Sequence, residues 1–480
     1  IISDHMVLQA GTIAPVWGWA EPGETVSVTV AGRTETVAAG ADGRWSVRFA
    51  ALKPSDQPQT LTVAGTNTLV VKDVLVGEVW LASGQSNMNR VVAAALNPQE
   101  EIAKATHPRL RMFIVKSAAT VTPQADCVGT WQVCSPATVG KFSAVGYFFG
   151  RELLDKLAVP VGIVHSSVGG TDIAAWTSAE AQLKDADLKA ALERWARDDA
   201  SYDAATVAAR YKQQVGDWEK AAATAKAAGK AAPAKPRVPF APRDNPNRPA
   251  NLYNGMIAPL IPYGLRGAIW YQGEHNCGRE EAARLYYRQL PLLIADWRAR
   301  WGSDFPFAWV QLPNFGKEDF RPLVREAMSQ SLKVKNTGQA VTIDIGDPND
   351  NHPKNKQEVG RRLGLWALGD VYGKKVPATS GPVFAGHTVR GRELTLRFTH
   401  AEGGLVAKGG ELHSFQIAGA DRKWKPAQAR IAGETIVVSH AEIAAPVAVR
   451  YAFTNSPTAT LYNGADLPAS PFRTDDWPLR

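Results

Sequence analysis

Ser86 lies in the stretch Leu81–Arg90, LASGQSNMNR, just after the apolar run VLVGEVWLA, and His352 lies far along the chain in DPNDNHPKN. Serine and histidine are the elements of acyl transfer. A serine hydroxyl is a weak nucleophile until a histidine within hydrogen-bond reach takes its proton and a carboxylate orients that histidine. Asp347 and Asp350 both stand close to His352, and either carboxylate suits that role. The tetrahedral oxyanion of acyl transfer also needs preorganised donors, such as the backbone N–H groups of a Gly-Gly turn or an asparagine amide. Gly169 and Gly170 in SSVGGTD and Asn276 in QGEHN carry such groups. Glu274, beside them, could brace that loop, bond a substrate hydroxyl or help orient His352; a bracing or orienting role is favoured. Plainer readings exist for each: Ser86 as a turn or cap residue, His352 as a helix-entry residue before Pro353, Asp347 or Asp350 as helix caps, and Gly170 and Asn276 as turn formers. Two residues after Ser86 stands Met88, not glycine, so the G-x-S-x-G nucleophile elbow of ordinary α/β-hydrolases is absent.

What unites these residues is the elements that precede them. GQSNM follows the strand pattern ending near Ala82, SSVGGTD follows VGIVH, QGEHN follows RGAIWY, and GDPNDNHP follows VTIDI. Continuous apolar strands alternating with helical spacing, as at Leu290, Leu293, Ile294 and Trp297, predict a parallel sheet covered on both faces. In such a sheet all strand carboxyl ends open on one edge, where ligands bind. The texture differs elsewhere. Residues 1–74 alternate in short runs such as ETVSVTVAG and GRWSVRFAAL, which predicts a small β-sandwich. Alternation returns from 376 to 480 in ELTLRFTH, ETIVVSH and PVAVRYAF, a second β-rich unit. Within the intervening 75–375, residues from about 181 to 249 form an Ala/Lys-rich helical excursion followed by a proline-rich extended connector.

Composition narrows the function classes. With 480 residues, 45% apolar and 21% charged, the chain reads as a globular protein of two or three domains. No apolar window is long enough for a membrane-spanning helix, so no membrane partner is expected. The net charge of +8 is modest for this length and its local basic cluster lacks interleaved aromatic residues, so no nucleic-acid partner is expected. Nine histidines and three cysteines show no metal-ligand spacing, and no metal or cofactor is expected; Cys127 and Cys134 could pair or remain free thiols. Fifteen tryptophans suit both sugar stacking and sandwich cores, although Trp80, Trp176 and Trp270 sit in core-like runs.

The four clusters together resemble the four-block pattern of the SGNH (GDSL-type) hydrolases. DVLVGEVWLASGQSNM, IVHSSVGGTDIAAWTS, LYNGMIAPLIPYGLRGAIWYQGEHN and DPNDNHPKNKQEVGRRL, with the opening ISDHMVLQAGTIAPVWGWAEPGE and the closing ATLYNGADLPASPFRTDDW, resemble the sialate O-acetylesterase family. The resemblance covers nearly the whole chain except the Ala/Lys excursion. It implies a three-layer α/β/α, flavodoxin-like SGNH domain flanked by β-sandwich-like units. It also implies Ser86 as nucleophile, His352 as general base, and Ser86 N–H, Gly170 N–H and the Asn276 side chain as oxyanion donors. The reaction implied is cofactor-free hydrolysis of sugar O-acetyl esters through an acetyl-serine, in a secreted or periplasmic protein. Acetylated hemicellulose (xylan or xyloglucan) is the favoured substrate and sialic acid the other. In the wider superfamily the acid sits three residues before the histidine, where this chain has Asn349; Asp350 is the carboxylate assigned, with Asp347 as rival and Gln85, Glu274 and Asp347 as supporting residues. His275 stands where the family often has a small residue and is read as lining the cleft. The competing expectations are a non-catalytic sugar-binding protein on this scaffold and a glycosidase using paired carboxylates such as Glu274 and Asp350.

Overall fold

The computed structural model describes residues 1–478; the last two residues of the expected C-terminal unit lie outside them. The chain forms two compact units, one of residues 1–117, 126–173 and 260–480, the other of residues 118–125 and 174–259.

The first unit is organised by one long strand, β1 (Thr68–Gly84), whose run from Val74 to Gly84 is buried throughout. Side chains apolar on both faces suit only a strand with neighbours on both edges and cover above and below. With β2 (His107–Val115), β3 (Gly129–Cys134), β4 (Val161–Ser167), β5 (Gly267–Tyr271), β6 (Phe307–Gln311) and β7 (Thr337–Val341) it forms a sheet in the order β7-β6-β5-β1-β4-β2-β3. All neighbours are parallel except β2 and β3, which are antiparallel. The sheet is therefore mixed, not parallel throughout as the alternating pattern predicts: β3 returns beside β2 at the edge, where the lateral order permits an antiparallel strand. Three of the four apolar runs form strands; of the fourth, VTIDI, only Val341 lies in β7, so four residues separate the loop carrying GDPNDNHP from the strand end, instead of its beginning directly there.

The N-terminal half of β1 pairs with Ser55–Ala64 and, in parallel, with Val7–Gln9. β1 thus continues through position 74/75, with a bend at Asp73, whose φ is 54°. The opposing pair, Ala14–Trp19 with Arg44–Phe49, buries alternate residues such as Trp45, Val47 and Phe49, as the period-two pattern requires. Towards the C-terminus, a pair of four-stranded sheets encloses one core of Leu394, Leu396, Ile436 and Val438 against Phe415, Ile417, Val449 and Tyr451, and Val341 and Ile343 from the end of β7 join that core.

Helices α1 (Ser86–Asn89), α2 (Ala144–Leu157), α3 (Glu280–Trp301), α4 (Arg321–Ser331) and α5 (Lys356–Trp366) complete this unit. Ser143 caps α2 by accepting from Gly146 N–H, and Asn355 caps α5 by accepting from Glu358 N–H. Cys127 and Cys134 are both free thiols.

The second unit contains helices Ala186–Ala200 and Ala204–Ala227, capped by Asp185 and Asp203. The proline-rich connector lies along the second helix: Trp218 Nε1 donates to Pro233 O at 2.7 Å, and Lys235 Nζ lies 5.3 Å from the Trp218 ring centroid.

Candidate active site

The carboxyl ends of β4, β1 and β5 are level, with Gly84 opposite both Ser167 and Tyr271. Beyond Gly84 the chain must turn sharply between two neighbouring backbones. Gln85 N–H donates to Tyr271 O at 2.9 Å and Val168 N–H donates to Gly84 O at 3.1 Å. Gly84 has φ +136°, and a Cβ there would stand 2.1 Å from Tyr271 O, so only glycine fits. The turn delivers Ser86 as the first residue of α1, where its N–H has no intrahelical acceptor. Ser143 Oγ donates to Met88 O at 2.6 Å and fastens the far end of α1.

His352 reaches Ser86 from the loop between β7 and α5, with Nε2 2.8 Å from Ser86 Oγ. The residue before it is held from two sides. Asn351 O accepts from Asn87 Nδ2 at 2.9 Å, and Asn351 Oδ1 accepts from the fully buried Arg321 at 2.9 Å. Asp350 Oδ1 accepts from His352 N–H at 2.8 Å and lies 3.7 Å from His352 Nδ1, outside bonding distance but close enough for charge attraction. Asp347 is exposed and closes its own turn by accepting from Asn349 N–H at 2.8 Å.

The Gly169–Gly170 turn lies against the serine: a Cβ on Gly169 would stand 3.3 Å from Ser86 Cβ, whereas Gly170, at φ +70°, faces open space. Gln272 Nε2 ties this turn to the QGEHN loop by donating to Thr171 O at 2.8 Å. Asn276 Oδ1 accepts from Gln272 Nε2 at 2.7 Å and from Ile173 N–H at 3.3 Å, which fixes the amide's orientation. Its Nδ2 donates to Asp172, leaving the second N–H of the amide for another acceptor. Burial holds the Asp172 carboxyl above its ordinary range, against the opposing pull of His275, Arg279 and the Asn276 bond. His275 is exposed, 4.0 Å from Asp172.

Glu274 is buried and accepts from both Gln85 Nε2 and Asn87 Nδ2. Its carboxylate braces the two residues that flank Ser86, which leaves it poorly placed to act as an acid or base on a sugar. A second serine–histidine pair sits on β4, with His165 Nε2 2.6 Å from Ser167 Oγ. Burial drives the His165 pKa down to about 4, and both residues are enclosed.

The clusters at the strand ends thus bring a histidine-bonded serine, a glycine turn and an oriented amide together, the components acyl transfer requires. The residues missed by sequence reasoning are Asn87, Asn351, Arg321, Asp172 and Lys356. Lys356 gave a signal: with Val359, Gly360 and Leu363 it occupies the apolar i, i+3, i+4, i+7 stripe of α5, where a charge is out of place. The tryptophan count, by contrast, belongs largely to packing, since Trp80, Trp176, Trp270, Trp297 and Trp309 are fully buried.

Residues 76–217 and 245–367 match the family profile described as carbohydrate esterase, sialic acid-specific acetylesterase; the gap falls within the Ala/Lys/Pro-rich excursion. Sialate O-acetylesterases of Rattus norvegicus and Homo sapiens are 31% and 30% identical over 98% of this chain and 93% and 91% of theirs. A carbohydrate acetylesterase from Xanthomonas citri of known structure is 38% identical and superposes with a TM-score of 0.83, covering 99% of this chain and 98% of its own. On these similarities, the chain belongs to the sialic acid-specific acetylesterase family of carbohydrate esterases and is a carboxylic ester hydrolase.

Proposed function

We propose that this protein removes O-acetyl groups from sugars through an acetyl-enzyme formed on Ser86, a reading carried by the 2.8 Å approach of His352 Nε2 to Ser86 Oγ. His352 takes the hydroxyl proton as Ser86 Oγ attacks the acetyl carbonyl, and the negative charge on the carbonyl oxygen is met by Ser86 N–H, Gly170 N–H and the second Asn276 N–H. Each such donor contributes about 2.7 to 4 kcal/mol to transition-state stabilisation. The tetrahedral intermediate collapses, the sugar oxygen leaves with the proton from His352, and a water activated by the same imidazole releases acetate from Ser86. Asp350, at 3.7 Å from Nδ1, stabilises the imidazolium in both halves of the reaction. The bracing of Glu274 by Gln85 and Asn87 argues against a glycosidase built on Glu274 and Asp350. The substrate proposed first is acetylated hemicellulose, xylan or xyloglucan, with O-acetylated sialic acid second; the tryptophan content, being mostly core, does not weigh between them.

Acetate release from 4-nitrophenyl acetate, acetylated xylan, acetylated xyloglucan and O-acetylated sialic acid tests both the mechanism and the substrate. Ser86→Ala and His352→Ala are expected to lower kcat by at least about 10³-fold on every ester. Turnover by Ser86→Ala at the wild-type rate would refute the mechanism. Release from sialic acid alone would overturn the hemicellulose assignment and leave the mechanism standing.

A further inference from the structure

Lys356 is the first residue of α5, four residues after His352, and is fully buried. Three features of that position oppose a cation. The N-terminal end of a helix is the positive end of its dipole, the surroundings are desolvating, and among the described residues Lys356 makes no salt bridge. Burial accordingly pulls its pKa down to about 7, with the Glu274 carboxylate the principal opposing influence and Asp350 a smaller one, while Arg90 adds to the depression. Its Nζ instead donates to Asn87 Oδ1 at 2.5 Å and rests 5.0 Å from the Tyr271 ring centroid.

That bond is one of three that set which way the Asn87 amide faces, and the one its oxygen makes. Asn87 is itself fully buried, and with Oδ1 committed to Lys356 its Nδ2 must point the other way, where it donates to Glu274 and to Asn351 O. Asn87 follows Ser86 and Asn351 precedes His352. One amide therefore couples the segment carrying the hydroxyl to the segment carrying the imidazole, and Lys356 holds its oxygen end. We propose that Lys356 is a positioning residue: by donating to Asn87 Oδ1 it locks the amide that holds Ser86 and His352 at reacting distance. This inference rests on the acetyl-serine reading above, and it adds a residue that touches neither substrate nor the reacting atoms. Without the lysine donor, Asn87 Oδ1 is a buried acceptor with no partner, and the amide can turn to find one only by loosening its bonds to Glu274 and Asn351 O.

The test uses the full chain, a fluorophosphonate probe and peptide mass mapping. The Ser86 Oγ displaces fluoride from the probe, its proton going to His352, so the labelling rate reads the activation of Ser86 and the mapped peptide reads its identity. Lys356→Met is expected to label Ser86 about 10- to 100-fold more slowly and to lose kcat by a similar factor with KM little changed, because misplacement by about 1 Å costs up to roughly 10²-fold. At pH 7 its melting temperature is expected to stay near that of the wild type, because removing a buried cation offsets the unpartnered Asn87 Oδ1, so slower labelling is not the result of unfolding. Asn87→Ala should slow labelling comparably, and Lys356→Met combined with Asn87→Ala should be no slower than the slower single variant. Wild-type labelling of Ser86 in Lys356→Met overturns the proposal, as does a double variant whose losses multiply. Label on a residue other than Ser86 in the wild type overturns the acetyl-serine reading instead. If Lys356→Met is insoluble, Lys356→Gln in the same cycle with Asn87→Ala answers the same question by the same criteria.

Discussion

Replacing Asp350 by asparagine separates two ways in which a carboxylate can serve a histidine. In the tightest arrangement the carboxylate is buried and bonded to Nδ1, and its amide replacement costs about 10⁴ in kcat because the imidazole is left in the wrong tautomer. Here the carboxylate is 43% exposed, its Oδ1 bonds the His352 main-chain N–H, and it stands 3.7 Å from Nδ1. What it supplies is chiefly charge. Two unit charges about 4 Å apart interact by about 1 kcal/mol in water and about 4 kcal/mol near a protein surface. With this exposure, about 1 to 2 kcal/mol is the expected contribution, a factor of about 5 to 30 in rate. Asparagine keeps an oxygen for the His352 N–H, so the loop conformation survives the change. The measurement is kcat for 4-nitrophenyl acetate by wild type and Asp350→Asn, at low salt and in 1 M NaCl. The ratio should be about 5 to 30 at low salt and shrink at high salt, where exposed charges are screened. A loss above about 10³-fold, indifferent to salt, refutes this reasoning and means the carboxylate closes onto Nδ1 during reaction. A loss below 2-fold means that the clamp on Asn351 alone orients the ring.

Two further outcomes follow from the same geometry. Gly84→Ala should be destabilised by well over 1 kcal/mol in a denaturant titration, because φ +136° and a contact of 2.1 Å to Tyr271 O leave no room for a methyl group; wild-type stability would mean that the β1 exit can rearrange. Lys356 makes stability depend on pH: its folded pKa of about 7 lies below the unfolded value near 10.4, so between these values the unfolded chain holds a proton the folded chain has released, and stability rises with pH. The unfolding free energy of wild type relative to Lys356→Met, from denaturant titrations, should therefore climb from pH 7 to pH 10 by at most about 1.4 kcal/mol per pH unit, and a flat difference would contradict the depressed value.

Much of this site could be read from the sequence because its components obey local rules. Apolar runs such as VGIVHSS and RGAIWYQ have the composition of doubly covered strands, and strand ends carry polar clusters wherever the backbone turns out of a sheet. Ser86, His352, Gly170 and Asn276 are legible as candidates for that reason. Their supports are not, because these bonds join residues distant in sequence: Asn87 reaches Asn351 and Lys356, and Asn276 is held by Asp172 and Gln272. Side-chain types alone do not distinguish a buried asparagine that clamps a loop from one that ends a turn. The antiparallel edge strand β3 escaped notice similarly, since GTWQVC looks the same running in either direction. The number of tryptophans does not decide between sugar stacking and packing: what decides whether an indole can stack on a sugar is exposure, which composition does not record, although the core-like runs around Trp80, Trp176 and Trp270 point to the burial found there.

β1 carries seventeen residues from Thr68 to Gly84, bent at Asp73, whose φ is 54°. Its first half is a rung of the N-terminal β-structure and its last residue adjoins the turn into Ser86. An accessory module joined by a linker can be removed or exchanged without disturbing its neighbour; here strand pairing continues on both sides of Asp73 and leaves no linker at which to cut. Deleting the N-terminal residues would strip β1 of its partners along half its length and leave the middle strand of the main sheet with a frayed beginning. The two halves must then gain and lose order together, and recombination between relatives in this region has to exchange the whole stretch from Val7 to Gly84 or none of it.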